Sequence, residues 1–295
     1  MKESANYITI EDNSLSKAVF AVIAVVQGGV LATLYQSLEH NFWPGTSHPW
    51  LTFFVTLFIA LPSLFLLLAD KNDYKKVVFY LSPFVLLISV LGAFVSDQIS
   101  GFRYVEDTYV IFSFTMLVAC FKASIYVKPI ASNTEINYPL LYRLSWRHAV
   151  IFAETALFTG IFFAILFLGA ELFDLLGIEL FKRFLDKSYI VIPLITLASA
   201  FAIRVFKQLF KVTDSIITII QTLLKFLLIV LVFVSLGFLV TLPFTGLEKL
   251  WATRSGSFFV LWLMLLILLF ANSVFYGQGS PYSKWLNRFV TTGIA

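Results

Sequence analysis

The sequence predicts an all-α membrane protein, a polytopic bundle of eight transmembrane helices plus the start of a truncated ninth. Three observations carry that reading. Hydrophobic residues make up 59% of the 295-residue chain and charged residues only 13%, against roughly 25% charged in soluble domains. The apolar residues gather in runs of about 20, the length that crosses about 30 Å of hydrocarbon. The segments between the runs differ sharply in lysine and arginine content, as membrane topology requires. Helix is the only state open to such runs. Backbone polar groups in lipid must pair within a segment or in a closed barrel, and the alternation of barrel strands is missing.

The first run is Ala18–Ser37. It is longer than a signal h-region and no small-x-small cleavage site follows it, so it is read as a retained signal anchor. Gly28 and Gly29 within it suit close helix approach. The connector Leu38–Pro49 holds His40, Trp43, Pro44 and His48. Trp43 and Trp50 fit the aromatic belt at the outer interface. Two histidines fall short of the three or four ligands a metal needs, and no metal site is expected. The second to fourth runs are Trp50–Ala69, Val77–Ser96 and Thr108–Val127, with Pro62, Pro83 and Gly92/Ala93 inside them. The single Cys120 rules out an intrachain disulfide.

The polar stretch 128–148 is read as a cytoplasmic loop. It separates a four-span region, 1–127, from a second membrane region, 149–295. The fifth run, Ala149–Leu172, carries Glu154 about one turn in, and Glu171 and Asp174 share a helix face near its outer end. Ile178–Ser188 is amphipathic, with Phe181, Phe184 and Leu185 opposite Glu179, Lys182, Arg183, Asp186 and Lys187. That pattern predicts a short helix in the outer headgroup layer. The last three full runs are Tyr189–Phe206, with Pro193 inside, Ile216–Leu242, with Lys225 inside, and Phe258–Phe275, which holds Asn272 and Ser273. A ninth begins at Phe289.

With the N-terminus in the cytoplasm, fourteen of the 21 lysines and arginines fall on the inner side, six on the outer side, and Lys225 within a run. The positive-inside rule therefore sets the N-terminus inside. Ionisable residues inside spans are functional-site candidates by default. Glu154 and Lys225 fall at similar inner depth and are expected to form an intramembrane charge pair, either a relay or a packing clamp. Glu171 and Asp174 form a candidate outer acidic site. They are either solvated beside Lys182 and Arg183 or an entry point for a cation or proton.

Several classes are disfavoured. There is no Gly-rich phosphate loop, H-E-x-x-H, G-x-S-x-G or Cys/His cluster, so no enzyme and no cofactor is expected. The basic residues sit in short loops rather than in a groove with stacking aromatics, which argues against nucleic acid. The string L-P-F-T-G at Leu242–Gly246 imitates a cell-wall sorting signal but follows seven spans, far from the end such a signal needs.

The second half carries landmarks of another kind: L-F-D-L-L-G-I at Leu172–Ile178, the F-K-R-F-L that follows, Leu242, Pro243, Thr245, Gly246 and Trp251 of L-P-F-T-G-L…L-W, and Asn272 and Gly277 of F-A-N-S-V-F-Y-G-Q-G. In these the chain resembles the bacterial multi-pass inner-membrane proteins of domain-of-unknown-function family 4153. The resemblance implies a bacterial inner-membrane location and a longer parent, and it brings no site residues with it. Two function classes stay open. One is a transporter or permease-like protein, on the grounds of span number, Glu154, Lys225 and the in-span prolines. The other is a non-enzymatic assembly or scaffold subunit of an envelope complex. A membrane enzyme acting on lipid-linked substrates is third. The partners expected are the lipid bilayer and a membrane-protein partner or a second copy.

Overall fold

Ser16 starts the first helix, α1 (Lys17–Glu39): its side chain accepts a hydrogen bond from the Val19 amide at 3.4 Å and satisfies one orphan donor of the first turn. The structure is a computed structural model that describes residues 14–99, 105–245, 256–275 and 282–294. α2 (His48–Leu68) opens with Pro49 in its first turn, where the missing N–H breaks no intrahelical bond. α3 (Tyr74–Ile99) and α4 (Val105–Ala131) follow. Pro62 and Pro83 lie inside α2 and α3, as expected.

The stretch read as a loop at 128–148 is mostly helix. α4 continues through Pro129 to Ala131, and α5 runs Tyr138–Leu175, so only 132–137 connects them. The physical reason lies at the two ends. Asn133 adopts a left-handed φ of 52° and the Thr134 amide reaches back to the Pro129 carbonyl at 2.9 Å, closing α4. Asn137 then caps α5 through a 3.0 Å bond from the Leu140 amide, and Pro139 stands in the first turn, where it starts a helix rather than breaks one.

Gly177, with φ of 78°, ends α5 in the same way: the Ile178 amide bonds Phe173 O and the Gly177 amide bonds Asp174 O, both at 2.9 Å. The amphipathic helix predicted at Ile178–Ser188 is present as the shorter α6 (Leu180–Leu185). α7 (Ser188–Gln208), α8 (Phe210–Thr245), α9 (Gly256–Val274) and α10 (Lys284–Ile294) complete the chain. Among the described residues eight helices are long and apolar enough to cross a membrane. The protein is an all-α, multi-pass membrane protein.

The chain divides into two compact units, one ending at Thr213 and the other beginning at Asp214. The expected division at 128–148 falls inside the first. In that unit α1 crosses α7 at close range. Ala24 and Gly28, four residues apart on α1, meet Thr196 of α7, and Ala24 shares an apolar cluster with Ala200; small residues let backbones approach in lipid. A Cβ at Gly28 would overlap the Pro193 Cα and the Thr196 hydroxyl, whereas Gly29 faces open space. Thr196 donates to the Ala24 carbonyl at 2.9 Å. A second apolar cluster, centred on Leu64, Leu81 and Val85, joins α2 to α3.

In the second unit Leu228 and Val232 of α8 pack with Val274 and Val290. The ninth run is α10. It starts at Lys284, before the apolar stretch, and its 11 residues make about 16 Å of helix, half the hydrocarbon thickness. Gly293 lies against Val232 and Leu236.

Candidate functional site

The most polar part of the first unit sits where α2 ends. A helix leaves its last carbonyls without intrahelical partners, and here two lysines from other helices supply the donors. Lys207 of α7 bonds Leu66 O at 3.2 Å, Ala69 O at 2.9 Å and an Asp70 oxygen at 3.3 Å. Lys128 of α4 bonds Leu68 O at 3.0 Å and one oxygen each of Asp70 and Asp73 at 2.6 Å. An ammonium has three N–H donors, so both lysines are fully engaged. Ser132 donates to Asp73 at 3.0 Å, and the Asp70 amide donates to the other Asp73 oxygen at 2.9 Å. Burial alone would raise the Asp70 carboxyl, but Lys207 and Lys128 outweigh it and hold the group below the usual carboxylate range. The two residues Ser14 and Leu15, just before α1, join the same end: Arg204 donates to Leu15 O and Gln208 to Ser14, both at 3.2 Å. Leu15, Phe20, Leu66, Leu68, Val77 and Val127 form the apolar floor.

From this clamp a polar seam leads along α5. His148 is buried and shares a 3.0 Å hydrogen bond with the Ser124 hydroxyl of α4. Thr155 and Thr159 lie two and three turns further along the same face. Thr159 and Ser199 of α7 are 3.2 Å apart. The buried Thr155 hydroxyl has no hydrogen-bond partner among the described residues. Beside it, Glu154 accepts a 3.4 Å hydrogen bond from Thr213.

The residues singled out from the sequence fall as follows. Glu154 belongs to the first unit and Lys225 to the second. The hydroxyl of Tyr282, two residues before α10, donates to the Lys225 carbonyl at 2.7 Å. Glu171 and Asp174 converge on Lys182, at 3.3 and 2.9 Å. These bonds, that to Asp174 first, raise the Lys182 ammonium above its ordinary value. Leu242, Pro243 and Thr245 form the last turn of α8, and Asn272 lies near the end of α9. Gly246, Trp251 and Gly277 lie outside the described residues.

The chain matches no known family model, no curated protein and no solved structure.

Sequence reasoning missed the clamp. Lys128 and Lys207 count there only among the inner-side charges, and Asp70 and Asp73, between two runs, draw no reading. The available signal was D-K-N-D immediately after an apolar run, two carboxylates at a helix end that needs cations.

Proposed function

We propose that the protein is a transporter or permease-like protein of the bacterial inner membrane, with its N-terminus in the cytoplasm, and that protons or small cations move along the α5 seam. The observation that carries this reading is Glu154. It is an ionisable group within a span, backed by Thr213 at 3.4 Å and next to the buried Thr155, on the helix that also carries His148 and Thr159. Ionisable residues at such places line ion and proton paths. The resemblance to family 4153 adds the bacterial setting, and the charge bias adds the orientation. The test is ion flux into proteoliposomes, followed with pH-sensitive and cation-sensitive dyes. Wild-type vesicles should pass protons or a cation faster than empty ones, and Glu154→Gln should abolish the difference. Equal flux in Glu154→Gln and wild type sinks the reading.

A second reading is a non-enzymatic assembly subunit, bound to a membrane protein or a second copy. The clamp favours it, because every N–H of Lys128 and Lys207 is already engaged and such a site is built to hold helices still. Co-purification of a stoichiometric partner in mild detergent, with no flux in vesicles, would select it.

A further inference from the structure

The turn linking α5 to α7 carries a surface groove of about 580 Å³, within the roughly 300–1,000 Å³ typical of small-ligand sites. Leu180, Phe184 and Ile190 form its apolar wall, and Arg183 and Lys187 its basic one. We propose that this groove binds an anionic phospholipid, with the phosphate held between Arg183 and Lys187.

Four observations converge. The first is charge. Glu179 also lines the groove, so its ionisable lining is one positive charge in excess, matching the single negative charge of a phosphodiester; Asp186 lies in the same turn but does not line it. The second is donor supply. Glu179 takes Nε and Nη2 of Arg183, at 3.1 and 2.5 Å, and leaves the Nη1 edge. The Lys187 ammonium makes no ion pair or hydrogen bond among the described residues. A planar guanidinium edge and an adjacent ammonium are the donors phosphate recognition uses. The third is the surround. Leu175 and Leu176 are 83% and 75% exposed, and Phe184 53%. Leu176 directly precedes Gly177, which lines the groove, and exposed apolar side chains near a basic groove give acyl chains a surface while the headgroup stays polar. Tyr189, on the groove's rim, belongs to a residue type enriched at headgroup level. The fourth is rigidity. The Gly177 turn and the bonds from Lys182 to Asp174 and Glu171 fix α6 against α5, so the basic wall is positioned before a ligand arrives. Lys182 is occupied by that task and takes no part in binding.

The groove is independent of the α5 seam, and its test does not use transport. The purified protein is equilibrated with equimolar phosphatidylglycerol and phosphatidylcholine in micelles, and the lipid retained is counted by native mass spectrometry. Wild type should retain phosphatidylglycerol in preference. Arg183→Gln and Lys187→Gln should each reduce that preference about fivefold, with unfolding midpoints matching wild type to show that the turn is intact. Equal retention of the two lipids, or a double variant that prefers phosphatidylglycerol as wild type does, overturns the proposal. So does millimolar inorganic phosphate that displaces phosphatidylglycerol completely, because the groove would then be a site for a free anion.

Discussion

Gly28 of α1 rests directly on Pro193 of α7, with no room between them for a single carbon. Gly28→Ala should force the two helices apart and cost about 1–3 kcal/mol by overpacking. Gly29→Ala, one residue on and facing open space, should leave stability unchanged. Unfolding in mixed micelles, with both variants side by side, checks the pair. A Gly28→Ala protein as stable as Gly29→Ala would show that the crossing has room for a methyl group.

Lys207→Met removes three donors from the end of α2 while keeping the length of the side chain. The Lys207 side chain is only 12% exposed, so the loss leaves Asp70 and two carbonyls poorly satisfied. Breaking a buried pair in this way costs about 3 kcal/mol. Lys182→Met, which removes a more exposed lysine, should be far milder. Midpoints of chemical unfolding should rank wild type and Lys182→Met well above Lys207→Met.

The clamp also predicts an acid limit. Asp70 is held below its ordinary value in the folded protein, so the unfolded chain protonates first as pH falls. Its contribution is complete above the unfolded carboxylate value, about 3.9, and disappears as pH drops through the lower folded value. Thermal unfolding in detergent should be insensitive to this group from pH 7 to about 5 and weaken below about 4. Asp70→Asn should start lower at pH 7 and lose less on acidification. Parallel curves for the two proteins would remove Asp70 as the source.

Gly177 sits at a φ of 78°, where a Cβ meets the neighbouring carbonyl. Gly177→Ala should cost about 1–2 kcal/mol and loosen α6. Protease cleavage near Lys182 and Arg183, slow in wild type, should accelerate. Unchanged cleavage would mean that the turn does not depend on the glycine.

The spans were legible because lipid imposes one requirement on every residue of a run, and a composition such as that of Phe258–Phe275 meets it without reference to any neighbour. Residues 128–148 read as a loop because they are polar, yet Pro129 and Pro139 both lie in helices. One sits inside the last turn of α4 and the other opens α5, and proline tolerates a helix start. Glu171, Asp174 and Lys182 lie within eleven residues of one another, so local spacing already set them side by side. Asp70, Lys128 and Lys207 meet only through the packing of three helices. No periodicity along the chain marks that meeting, since polar ends of spans look alike whether they face water or one another. Gly28 and Gly29 are indistinguishable as a pair of letters, and only the position of α7 separates them.

The clamp has a consequence in time. Asp70 and Lys128 are 58 residues apart, and Ala69 and Lys207 are 138 apart. At roughly 5–20 residues per second, the end of α2 waits about 7–28 s for its last lysine after it has itself been made. During that interval Lys128 arrives first and serves Leu68 O, Asp70 and Asp73, while the carbonyls of Leu66 and Ala69 still depend on water. The arrival of α7 then closes the ring in one step, satisfying the end of α2 and drawing in the start of α1. Order of synthesis, rather than strength of bonding, makes Lys207 the latch that marks the first unit as assembled.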